Sequence, residues 1–111
     1  MDPAEHTANG ISAIVSELRK RLPATKILLL AIFPRHHSQA NEMRQRNDQI
    51  NKLISALDNS EMVYYLNINH LFVDDELFLK QALLPDLLHP NEQGYRLWAE
   101  AMAPILARMM K

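Results

Sequence analysis

The run Lys26-Ile27-Leu28-Leu29-Leu30-Ala31-Ile32-Phe33, stopped by Pro34, constrains the fold of this 111-residue chain more than any other segment. It lacks the polar alternation of a strand with one wet face, so it suits a strand covered on both faces, as in a parallel sheet. It is also far too short to span a bilayer. Parallel strands cannot be joined by a tight turn, so the fold requires a helical crossover before the next strand.

The flanking patterns supply the helices. Asp2-Pro3-Ala4-Glu5 has the form of a helix start, with Asp2 as N-cap and Pro3 in the first helical position. Ile11, Ile14, Val15, Leu18 and Leu22 then recur at helical spacing and form an expected core stripe, ended by Pro23. A second helix over about 41–57 turns Met43, Ile50, Leu53, Ile54 and Leu57 towards the core, and Asp58-Asn59-Ser60 ends it. Residues 62–68 form the second strand. Residues 69–84 are expected to be irregular, with one helical turn near 76–79. The last helix, about 92–110, packs through Tyr95, Leu97, Trp98, Met102, Ile105 and Leu106, with a kink expected at Pro104.

The expected elements are therefore helices at about 3–22, 41–57 and 92–110 around parallel strands at about 26–33 and 62–68. Alternating helices and strands define an α/β class with helices on both sheet faces. Two strands make a thin sheet, with an edge that exposes main-chain groups beside apolar side chains. That is the pattern expected of a portion of a larger domain.

Composition excludes several kinds of chemistry. The chain has no cysteine, which removes disulfides, thiolate catalysis and Cys-ligated zinc. Its only glycines are Gly10 and Gly94, so no glycine loop can cradle a phosphate and no nucleotide cofactor is expected. The net charge is −1, and Arg19, Lys20 and Arg21, like Arg44 and Arg46, sit on helix faces expected to be solvated. No nucleic-acid partner is expected on that basis. Residues 1–5 are acidic and polar and carry no signal-peptide pattern, and the compartment is not set by these residues.

Chemistry concentrates beyond the carboxyl ends of the strands, where open α/β sheets place their sites. Asp86-Leu87-Leu88-His89-Pro90-Asn91 lies in the second of these loops, just before the last helix, with Asn91 as its expected cap. A carboxylate three residues from an imidazole can hold one ring nitrogen while the other takes a proton, the base half of a serine-hydrolase triad. The first loop carries Arg35, His36 and His37. Arg35 and His37 are the candidate substrate contacts, since a planar guanidinium suits acyl or phosphoryl oxygens. A metal reading would join His36, His37, Asp86 and His89. Neighbouring histidines point apart and no carboxylate has zinc-site spacing to them, so no metal is expected.

The block Asp86-Leu87-Leu88-His89-Pro90-Asn91-Glu92-Gln93-Gly94-Tyr95-Arg96-Leu97-Trp98-Ala99 resembles the last sequence block of the SGNH (GDSL-type) esterase and lipase family. The closest likeness is to the branch containing the catalytic subunits of platelet-activating-factor acetylhydrolase. Residues 27–35, ending Phe33-Pro34-Arg35, resemble that branch's fourth strand and following turn, and Thr7-Ala8-Asn9-Gly10-Ile11 resembles the helix before it. The resemblance implies part of a three-layer α/β/α flavodoxin-like domain, with residues 1–111 as the C-terminal portion of one SGNH domain.

It further implies ester hydrolysis by a Ser-His-Asp triad, with His89 as general base and Asp86 orienting it. The family's Gly-Asp-Ser nucleophile block and its oxyanion Gly and Asn have no counterpart in this sequence. A complete domain would need about 80 to 100 more residues ahead of Met1. Ser38 lies in the right loop but lacks the strained strand-to-helix turn that exposes a nucleophile. The expected partners are a small ester in the complete domain, and a complementing N-terminal half or a second copy; no cofactor and no membrane span are expected. The rival reading is a non-catalytic module that pairs through its open sheet edge.

Overall fold

The computed structural model describes residues 3–34, 38–86 and 89–110. Its elements run α1 (Ala4–Arg21), β1 (Ile27–Leu30), α2 (Glu42–Ile54) with a 3-10 turn Ser55–Leu57, β2 (Val63–Leu66), a 3-10 turn Asn69–Phe72, and α3 (Glu92–Met109). The two strands are parallel, with Ile27 opposite Val63 and Leu30 opposite Leu66. The ladder extends slightly at both ends, where Ile27 N–H donates to Met62 O, one residue before β2, and Ala31 N–H, one residue past β1, donates to Leu66 O. The α/β class and the helical crossover expected from the apolar runs are therefore present, with shorter strands than the runs themselves.

Successive strand residues face opposite sides, and two cores result. On one side Leu29, Ile32 and Tyr65 pack with Ala4, Ala8, Ile50 and Ile54 of α1 and α2. The small side chains of Ala4 and Ala8 let α1 approach α2 closely. On the other side Leu66 and Phe33 pack with Ile68, Phe72, Leu79, Leu83 and Leu84, under Leu97, Trp98 and Ala101 of α3. Phe33 sits 5.1 Å from both the Phe72 and the Trp98 ring centroids. Helix α3 begins at an N-cap Asn91 and continues through Pro104 as one element.

Several expectations are corrected. Helix α1 begins after Pro3, which is the N-cap residue and not the first helical position; Asp2 lies outside the described residues. Of its apolar stripe only Val15 is buried, while Ile14, Leu18 and Leu22 stay exposed because no described element covers that side. Leu53, Tyr95 and Leu106 are exposed for the same reason. All four residues of β1 are half-buried instead of fully covered. The helical turn after β2 falls at Asn69–Phe72, whereas Asp74 to Leu79 form a tight turn closed by a bridge between Val73 and Leu79. Arg44, placed on a solvated face by its charge, is buried, and its guanidinium donates to Leu77 O.

Polar side chains finish what the short strands leave open. Asn51, buried on α2, accepts from Ile32 N–H at 2.7 Å and donates to Ile32 O at 2.8 Å, pairing with the backbone just past β1 as a strand would. Asn69 donates to the same Ile32 O at 2.9 Å. At β2 the outward N–H groups of Val63 and Tyr65 donate to the side chains of Asn59 (2.9 Å) and Asp58 (2.7 Å). Asn59 N–H also donates to Val63 O. The outer edge of β2 is thus closed by its own preceding loop. Along β1, by contrast, no second strand pairs among the described residues.

Replacing Asn51 with Ala removes two part-buried bonds and leaves the Ile32 N–H without its acceptor, while Ile32 O keeps Asn69; a loss of about 2–3 kcal/mol in urea unfolding is expected. Asp58 gives a pH-dependent test. Chiefly the Tyr65 N–H, with help from the Ser60 hydroxyl and N–H, holds its carboxyl below the usual 3.8. A depressed folded value means its stabilisation is complete above the unfolded value and is lost as pH falls through the lower, folded one. Urea midpoints from pH 7 down to pH 3 should therefore fall, and Asp58→Ala should start lower at pH 7 and lose less.

Candidate active site

Asp86 and His89 lie on the loop that leaves the core at Leu83 and Leu84, both buried, and returns at the start of α3. The loop is short enough for Asp86 to close it internally. One carboxylate oxygen, Oδ1, accepts from His89 N–H at 2.7 Å, and the other, Oδ2, lies 2.7 Å from His89 Nδ1. A carboxylate is acceptor only, so the bond places the ring proton on Nδ1 and leaves Nε2 with a free lone pair. Both side chains are solvent-open, at 71% for His89 and 57% for Asp86. Leu87 and Leu88, between them, lie outside the described residues.

The base of the loop is fixed more firmly than its tip. Asn91 N–H donates to Leu83 O at 2.8 Å, and its side-chain Nδ2 donates to Ala82 O at 2.7 Å. Its Oδ1 accepts from Gly94 N–H at 2.9 Å, which caps α3 as expected. The other candidates are placed less fully. Arg35, His36 and His37 lie outside the described residues, directly after buried Pro34. Ser38 is engaged in the turn leading to α2, its hydroxyl accepting from Ala40 N–H at 3.1 Å. Among the described residues no three His, Asp or Glu side chains gather as a metal site.

A concavity of about 370 Å³, past the carboxyl ends of the strands, is lined in part by Arg44, Asp48, Asn69, His70, Val73 and Leu77 and excludes Asp86 and His89. Burial lowers the Arg44 pKa and raises that of Asp48, and the attraction between the two charges opposes both shifts. Asn69 Oδ1 is buried with no hydrogen-bond partner among the described residues. Sequence periodicity gave no sign of this group. The one available clue was Arg44 falling on the same side of α2 as Asn51, seven residues on, both of which are buried.

The GDSL-like lipase/acylhydrolase family model matches residues 1–97, and the chain belongs to that family. It is 29% identical over 109 residues to the platelet-activating factor acetylhydrolase IB subunit alpha2 of Rattus norvegicus, a match taking in 97% of this chain and 47% of the relative. The Homo sapiens protein of the same name is 28% identical over the same span. The chain therefore spans about half the length of these curated relatives.

Two solved structures share the fold. One, from Streptococcus pneumonia and named for platelet activating factor, has a TM-score of 0.79 at 22% identity, covering 94% of this chain and 52% of that one. The other is the esterase domain of the zebrafish ZfL2-1 retrotransposon ORF1 protein, with a TM-score of 0.73 at 21% identity, covering 96% and 61%. The three-layer α/β expectation and the family resemblance are both upheld.

A hydrogen bond between an imidazole and a carboxylate this exposed contributes about 0–1 kcal/mol to stability. Asp86→Ala should accordingly shift the thermal unfolding midpoint only slightly, which differential scanning calorimetry will read.

Proposed function

We propose that this chain is the C-terminal portion of a GDSL-type serine esterase domain, and that it carries the acid and base of the catalytic triad. His89 is the general base and Asp86 its orienting partner. The observation that carries this reading is the 2.7 Å bond from His89 Nδ1 to Asp86 Oδ2, in the loop beyond the carboxyl end of β2. In acyl transfer Nε2 takes the hydroxyl proton of the nucleophile as it attacks the ester carbonyl. The Asp86 carboxylate stabilises the imidazolium so formed, which then hands the proton to the leaving alkoxide. A water activated by the same nitrogen releases the acid in the second half of the cycle.

The nucleophilic Ser and the oxyanion donors belong to a complementing N-terminal half in this reading. The Gly-Asp-Ser block is absent from the sequence, and the relatives are about twice as long as the match. Arg35 and His37, which follow β1 and Pro34, are assigned to substrate contacts. The word acetylhydrolase in the relatives' names favours a small acetyl ester. Because the oxyanion donors and the nucleophile are separate, large contributions to acyl transfer, the chain alone is expected to be inactive. p-Nitrophenyl acetate turnover by the chain should not exceed that of His89→Ala. Mixing with a polypeptide carrying the N-terminal half of the family domain should give turnover, which His89→Ala lowers by about 10⁴-fold or more in kcat. Restored turnover that survives His89→Ala would overturn the assignment.

A second reading is favoured by the unpaired side of β1 and the exposed Ile14, Leu18 and Leu22. It makes the chain a non-catalytic module that self-associates, or pairs with a partner strand, through that edge. A stable dimer by sedimentation equilibrium, with no ester turnover in any mixture, would select it.

A further inference from the structure

We infer that Asn91 and Gly94 are positioning residues for His89, a role separate from capping α3; the inference rests on reading Asp86 and His89 as the acid and base. Among the described residues of the loop that bears them, Pro85, Asp86 and His89 are all exposed. What fixes such a loop is its base, and there a single side chain grips both limbs. Asn91 holds the outgoing limb through Ala82 O (2.7 Å, from Nδ2) and Leu83 O (2.8 Å, from its N–H). It holds the returning limb through the first turn of α3, where its Oδ1 and carbonyl accept from Gly94 and Tyr95 N–H, each at 2.9 Å. His89 is only two residues from this anchor, across Pro90, whose ring fixes its own backbone angle.

Gly94 makes the grip possible. A Cβ built there would lie 2.9 Å from Pro90 Cβ and 3.0 Å from Leu83 O, so both limbs of the loop crowd against that one position. Only hydrogen fits without prying Pro90, and with it His89, away from the limb that leads to Asp86. Capping alone needs neither the Ala82 bond nor a bare Cα three residues into the helix.

Two substitutions separate positioning from capping. Asn91→Asp keeps an acceptor as good for an N-cap but loses the donor to Ala82 O. Gly94→Ala improves helix propensity while adding the methyl that meets Pro90 and Leu83 O. The readout is the neutral His89 ring in the ¹⁵N-labelled chain at pH 8.5, by long-range ¹H–¹⁵N spectra assigned against His89→Ala, together with the thermal midpoint. The wild-type ring is expected as the Nδ1–H tautomer, and each variant should lower the ratio of Nδ1–H to Nε2–H in the folded protein by about twofold or more, whether or not the midpoint falls, while α3 is kept. A purely structural role would move the midpoint and leave the tautomer of the folded fraction unchanged. If both variants retain the wild-type tautomer, the positioning role is overturned. If the wild type itself lacks the Nδ1–H form, the reading of the pair as base and orienting acid fails first. Should Asn91→Asp not fold, Gly94→Ala decides alone.

Discussion

The amide of Asn51 is the contact on which the rest of the molecule leans. A four-residue strand such as β1 cannot carry its ladder far, and Ile32 lies beyond the last pairing with β2. By accepting from Ile32 N–H and donating to Ile32 O, Asn51 extends the backbone order of β1 from a neighbouring helix. Phe33 comes next and packs between Phe72 and Trp98, which joins the long loop to α3. Helix α3 in turn carries Asn91 at its start, and with it the loop of Asp86 and His89. The order of the sheet thus passes to the candidate catalytic pair through a short series of contacts, each with a directional bond or a ring face at its centre.

Much of this was legible in the residues. Apolar runs located both strands, although β1 ends at Leu30 and not at Pro34; cap chemistry placed Asn91 at the head of α3. The Asp-x-x-His spacing anticipated the 2.7 Å pair. Other features were illegible because they depend on distant partners. Ile14, Leu18 and Leu22 have the periodicity of a core stripe, but periodicity reports which side is apolar and not whether anything lies against it. Arg44 reads as a surface cation until a carbonyl 33 residues away receives it. The residues between β2 and α3 look like a bare connection, yet Phe72, Leu79, Leu83 and Leu84 in it form most of one core. A buried loop leaves no periodic trace.

The candidate pair combines close geometry with open surroundings. Its stability contribution is small, so the short bond answers to local chain shape: a carboxylate and an imidazole three positions apart on a loop held at its base. Such an arrangement separates function from folding. The loop can lose its chemistry without the domain losing its cores, and the cores can form with the pair facing water.

The two sides of the sheet differ in a way that governs assembly. Asp58 and Asn59 occupy the outer backbone donors of β2, so further strands can join only beside β1. A sheet with one terminated side cannot propagate in both directions. Two side chains of a turn thus deny the β2 edge the free donors that an endless, two-sided sheet would need.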